Sequence, residues 1–137
     1  MGGRGAVSLS YQGANKGSGK AYGELSAFDA ISTIEKNIAA HPKIADGESE
    51  ALSQLRNLKS PDDIVTVYRA APAEHINTDD WVFLSESKAD RFAHSTFDKT
   101  KLKPGYNVLK IQCKASDIRF TGKNLEFAYV GKRKKGI

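Results

Sequence analysis

The sequence predicts an α+β domain in which N-terminal helices precede a mostly antiparallel β-sheet. Three observations lead there. Apolar residues recur at three- and four-residue spacing before residue 40. A shorter stripe of the same kind follows between residues 51 and 58. From Ile64 onward the pattern switches to short β-branched and aromatic runs with alternating character. Helices first and strands afterwards favour an α+β arrangement over alternating βαβ units.

The first helix rests on Leu25, Phe28, Ile31, Ile34 and Ile38, one apolar stripe about four turns long. Ser26 is its candidate N-cap, and His41 with Pro42 ends it. The second helix carries Ala51, Leu52, Leu55 and Leu58, with a start expected at Asp46 or Gly47. "KSPDD" then breaks the pattern. Both helices read as structural, with no side chains suited to chemistry.

The strands are expected over 64–70, 81–85 ("WVFLS"), 106–114 ("YNVLKIQCK"), 118–121 and 125–130 ("LEFAYV"). A short helix is expected over 87–95, with Ala89, Phe92 and Ala93 on one side. In the first strand Ile64, Thr66 and Tyr68 share one face and Val65, Val67 and Arg69 the other. A guanidinium in register with two valines calls for a partner, because burying an unpaired charge is costly.

The chain has 137 residues, near the commonest length for one domain. Residues 24–131 form the expected domain. Residues 1–23 hold seven of the twelve glycines and read as a flexible segment. "ANKGSGKA" within it lacks the first Gly and the final Ser or Thr of a phosphate loop, and no apolar strand precedes it. Residues 132–137 read as a basic tail. Four cations, Lys132, Arg133, Lys134 and Lys135, sit there; subtracting them from the net charge of +5 leaves +1. Such a tail can reach nucleic acid or another anionic partner, or simply solvate the terminus.

No apolar run approaches the ~20 residues that span a bilayer. The opening "MGGRGAVSLS" lacks the apolar centre of a signal peptide, and Ala6 replaces the Ser or Thr of a myristoylation signal. The single Cys113 allows no internal disulfide, so a cytoplasmic, reducing compartment is expected. Cys113 lies mid-strand and reads as a small buried hydrophobe, and Trp81 as a core residue. His41, His75 and His94 show no metal-ligand spacing, and no metal is expected.

Three polar features interrupt the strands: Arg69 at the end of one, Ser85 and Ser87 at the end of the next, and Glu126 in the last. Singly, each fits a solvent-facing edge position. As an ordered set, "VTVYRAAP", "DWVFLSESKADRFA" and "NLEFAYVG" resemble the three motifs of mono-ADP-ribosyltransferases. The similarity is to the arginine–serine–glutamate branch shared with bacterial toxins and phage transferase domains. It covers roughly residues 64–131, half the chain. "GGRGA" near the start is a further, weaker likeness to phage head-associated proteins.

The resemblance implies a split β-sheet core, NAD as co-substrate and release of nicotinamide. Arg69 would hold the pyrophosphate or nearby ribose, a task suited to a planar permanent cation. The Ala70 backbone would bind the nicotinamide amide. Ser85 would orient the glutamate and ribose, Ser87 would support the loop, and Phe92 would stack on nicotinamide or else pack in the core. Glu126 would be catalytic, a negative charge placed where the sugar turns positive. Asn124 stands where many arginine-modifying members carry Glu or Gln; it can position an acceptor but cannot act as a base. Glu86 between the serines also departs from the usual small residue. The expected acceptor is a macromolecule, a host protein first, with water (an NAD glycohydrolase) as the close variant. Two other readings remain: a degenerate fold that binds a partner or nucleic acid, and a phage structural component. A monomer with no membrane partner is expected.

Overall fold

The computed structural model describes residues 23–137. The glycine-rich segment up to residue 22, with the rejected phosphate loop and "GGRGA", lies outside the described residues.

Helix α1 spans Ala27–Ala40. The Ser26 hydroxyl accepts from the Asp29 amide at 3.2 Å, the predicted cap. A 3-10 turn, Pro42–Ala45, follows, and α2 spans Ser49–Arg56. The second helix thus starts later than expected. Gly47 has φ +72°, a left-handed conformation that no helix contains, so the chain must turn before it can coil.

The strands are β1 (Ile64–Ala71), β2 (His75–Ile76), β3 (Trp81–Val82), β4 (Asn107–Lys114), β5 (Ile118–Phe120), β6 (Phe127–Tyr129) and β7 (Lys134–Lys135). Helix α3, Glu86–Ala93, lies between β3 and β4. Every pairing is antiparallel: β1 with β4, β2 with β7, and β6 between β3 and β5. The described residues form an α+β architecture, three α-helices with small antiparallel sheets.

Strand β1 alternates in burial from Ile64 to Val67, after which Tyr68 is buried as well. Val65 and Val67 are buried while Ile64 is exposed. Strand β4 alternates likewise, with Leu109, Ile111 and Cys113 inward. Burial pushes the Cys113 thiol up to about 12, so it serves as a packed hydrophobe. Helix α1 packs on α2 and β5, and α3 on β1 and β4. Ile34, Leu55, Phe127 and Tyr129 are among the largest side chains in the common core.

Four expectations need correction. The second strand ends at Val82, because Phe83 makes only an isolated bridge to Tyr68 and the chain then enters α3. The last strand begins at Phe127, because Asn124 has φ +51° and the Glu126 amide closes a turn onto the Lys123 carbonyl. Glu126 therefore stands at the exit of a hairpin turn, not inside a strand. Residues 132–137 are not a free tail either. Within them β7 pairs with β2, Gly136 donates to Glu74, Ile137 donates to Lys110, and the Lys134 amine donates to the Gln112 carbonyl. This segment lies along the outer edge of β4, which would otherwise present open backbone groups. Trp81 is half-buried, not a core residue.

Candidate active site

The seam between β1 and β3 organises the polar residues. Tyr68 and Phe83 exchange two backbone hydrogen bonds, each 2.8 Å. On both sides of this bridge the strands part, and side chains take over the backbone groups. At one end Gln54 of α2 donates to the Thr66 carbonyl at 2.8 Å and the Leu84 carbonyl at 3.0 Å, and accepts from the Thr66 amide at 2.8 Å. At the other end Arg69 Nη1 donates to the Trp81 carbonyl at 2.8 Å. By the alternation of an antiparallel strand, the Ala70 backbone faces the same opened gap as that of Tyr68.

Arg69 finds its partner here. Its Nε lies 3.4 Å from Asp80 Oδ2, with the arginine side chain 21% exposed. Asp80 is fixed in turn by the Asn77 amide at 2.9 Å. Two of the guanidinium nitrogens are thus engaged by protein, while Nη2 bonds to none of the described residues.

Ser85 is 1% exposed and caps α3. Its hydroxyl accepts from the Lys88 amide at 3.3 Å and shares a 3.0 Å hydrogen bond with Ser87. The cap is why the helix starts at Glu86 rather than Ser87. Glu86 donates its amide to the Glu50 carboxylate at 2.8 Å. The Lys88 amine pairs with Glu48 at 2.9 Å, and Glu48 is only 2% exposed. Burial, then the neighbouring Glu50 carboxylate, push the Tyr68 phenol up to about 12. Glu48, the residue before α2, and Glu50 and Gln54 within it all contact this region.

Glu126 belongs to the same group. Burial holds its carboxyl above the usual carboxylate range, opposed by the Lys123 and Lys88 ammonium groups and by a hydrogen bond from Asn124. Glu48 adds to the upward push. The Glu126 carbonyl accepts from the Thr121 amide at 3.1 Å and its hydroxyl at 3.0 Å, which anchors the turn. Asn124 thus serves Glu126 itself.

Ser85 and Ser87 meet at the start of α3, where Lys88 also sits, and the Lys88 charge acts on Glu126. Arg69 stands apart from them, paired with Asp80. Arg69 leaves β1 on the face opposite Tyr68. Phe83 bridges Tyr68, and Glu126 immediately precedes Phe127, the partner of Val82 in the β3–β6 pairing. Phe92 is 52% exposed, and its ring stacks on Phe83 at 5.2 Å rather than packing in the core. Among the described residues no cluster of His, Cys, Asp or Glu is arranged to hold a metal, and no helix is long and apolar enough to cross a membrane.

Sequence reasoning missed Gln54, Glu48, Lys88 and Asp80. A Glu beside the start of a helix and a Lys beside a Ser-x-Ser are ordinary surface residues by pattern, and only the fold shows Glu48 buried. Comparison of the chain with protein-family models, curated proteins and solved structures gives no match.

Proposed function

We propose that the chain is a mono-ADP-ribosyltransferase that takes NAD as donor, with Glu126 as its catalytic carboxylate. The observation that carries this reading is the half-buried Glu126 carboxylate, whose pKa burial raises and which feels the charge of Lys88 on the helix that Ser85 caps. The bond to be broken joins nicotinamide to ribose, and positive charge develops on the sugar as it breaks. An ionised Glu126 accepts the ribose 2′-hydroxyl and stabilises that charge. Its low-dielectric surroundings strengthen the attraction. Lys88, Lys123 and Asn124 favour the ionised form against the cost of burial. Ser85 and Ser87 hold the helix start against which the ribose would lie.

The gap beyond the Tyr68–Phe83 bridge suits the nicotinamide amide, with the Ala70 backbone facing it. The exposed Phe92 ring offers a stacking surface. Arg69 gives the reading less support than its sequence position does. Asp80 and Trp81 occupy it, so only Nη2 remains to reach a phosphate.

The test is incubation with NAD labelled in the adenylate and, separately, in nicotinamide. Wild type should release nicotinamide and label a macromolecule in lysate, and Glu126→Ala should do neither while keeping its circular dichroism. Wild-type protein that neither binds nor consumes NAD would refute the proposal.

One observation favours hydrolysis over transfer. Asn124 has no basic group to activate an acceptor. Nicotinamide release without labelled macromolecule would identify water as the acceptor.

A further inference from the structure

At the opposite end of β6 from Glu126 lies a cavity of about 460 Å³. Thr78, Asp117, Tyr129, Gly131, Lys132 and Lys134 line it. The size lies within the range of small-ligand sites, which runs from about 300 to 1,000 Å³.

Its walls are braced. The Thr78 hydroxyl donates to the Gly131 carbonyl at 2.6 Å, and the Tyr129 phenol donates to the Lys132 carbonyl. Asp117 accepts from the Lys114 amide at 3.4 Å, and its own carbonyl accepts from Val130 at 2.7 Å. The chain that carries the lysines is thereby held on both sides of Gly131. A Cβ at Gly131 would lie 2.6 Å from the Tyr129 hydroxyl, so the turn is as tight as a glycine allows.

The charge is left over. Lys132 has no carboxylate within ion-pair distance among the described residues. The Lys134 amine uses one N–H on the Gln112 carbonyl at 2.9 Å, which leaves two donors. Lys132 and Lys134 both line the cavity, whereas Arg133 and Lys135 do not. Arg133 meets His75 at 3.3 Å. The four basic residues that looked like a uniform tail are thus two pairs with different surroundings, and one pair flanks a cavity.

We infer that this cavity binds a nucleoside monophosphate, with the Lys132 and Lys134 amines on the phosphate and the Asp117 carboxylate on the sugar hydroxyls. Two ammonium groups on a loop whose backbone is already held neutralise phosphate with only their own side chains left to order. A carboxylate across from them rejects a second phosphate but accepts a diol, the pairing used for ribose in dinucleotide folds. The site is independent of the chemistry assigned to Glu126.

The test uses isotope-labelled full-length chain observed by amide NMR. It is titrated with AMP, with inorganic phosphate and with a 5′-phosphorylated single-stranded oligonucleotide. AMP should give saturable shifts at Thr78, Gly131 and Lys132, with a midpoint of about 1 mM or below. Lys132→Gln should weaken AMP about fivefold, while Lys135→Gln, the same charge change outside the cavity lining, should change it less than about twofold. Saturation at these amides by AMP alone supports a free nucleotide as the source. Saturation by the oligonucleotide as well supports a terminal nucleotide read in the same cavity. Inorganic phosphate binding as tightly as AMP overturns the sugar contact and the nucleotide class with it. Absence of saturable shifts up to about 10 mM AMP, or equal losses in the two variants, overturns the site. None of these outcomes depends on NAD turnover.

Discussion

Replacing Gln54 by Met tests whether the seam between β1 and β3 is held by a side chain. Methionine matches glutamine in length and volume but offers neither donor nor strong acceptor. The substitution strips partners from the Thr66 amide, the Thr66 carbonyl and the Leu84 carbonyl. A net hydrogen bond contributes about 1 kcal/mol, and a buried group left alone costs more. Three such losses, partly offset by methionine's greater hydrophobicity, give a destabilisation of about 2–3 kcal/mol. For a chain of this size that lowers the melting temperature by roughly 10 °C. Urea denaturation measures it directly, and the midpoint should fall with little change in slope. The Thr66 amide should also exchange with solvent faster than that of Val67, its neighbour on β1. A variant within about 0.5 kcal/mol of wild type, with Thr66 still protected, would show that the bonds of Gln54 are replaced by water at no cost and that the seam does not need it.

Four more outcomes follow from particular contacts. Glu126→Gln should abolish NAD cleavage yet raise stability at neutral pH, as expected where a site trades stability for activity. The sign follows from the raised folded-state pKa: the folded chain prefers the protonated acid, so ionisation costs stability as pH rises through that pKa. The gain should vanish in acid, below the ordinary carboxylate pKa, which thermal melts across a pH series would show. The same shift places the acid limb of the NAD cleavage profile above the ordinary carboxylate range, measured as initial rate against pH. Gly131→Ala must displace the Tyr129 ring and should cost about 1–3 kcal/mol by chemical denaturation. Truncation after Lys132 should uncover the β4 edge and cause self-association visible by light scattering, whereas neutralising Lys135 alone should not.

Much of the scaffold was legible because it rests on local periodicity. The Ser26 cap, the stripe through Ile34 and the alternation of β1 and β4 are all written within a few residues of one another. The two-residue strands β2 and β7 were not, since a pair of residues has no period to read. Their existence depends on partners some 58 residues apart, as in the contact of Arg133 with His75. In the site, the partner of Arg69 was not legible, because Asp80 belongs to a turn whose direction is set by the fold. Gln54 was invisible for the same reason: its partners lie 12 and 30 residues downstream. Glu48 reads as a solvated helix-start residue by pattern, and only the packing of α3 over it explains its burial.

The single bridge at Tyr68 and Phe83 has a mechanical consequence. A sheet stitched by a full ladder resists shear because many bonds must fail at once. Here one reciprocal pair of bonds, flanked by two side-chain rivets, joins the halves. Pulled apart across that line, the molecule should tear in sequence, the rivets of Gln54 and Arg69 carrying load after the backbone pair has let go. The two sheets then behave as plates on a compliant joint rather than as one continuous surface.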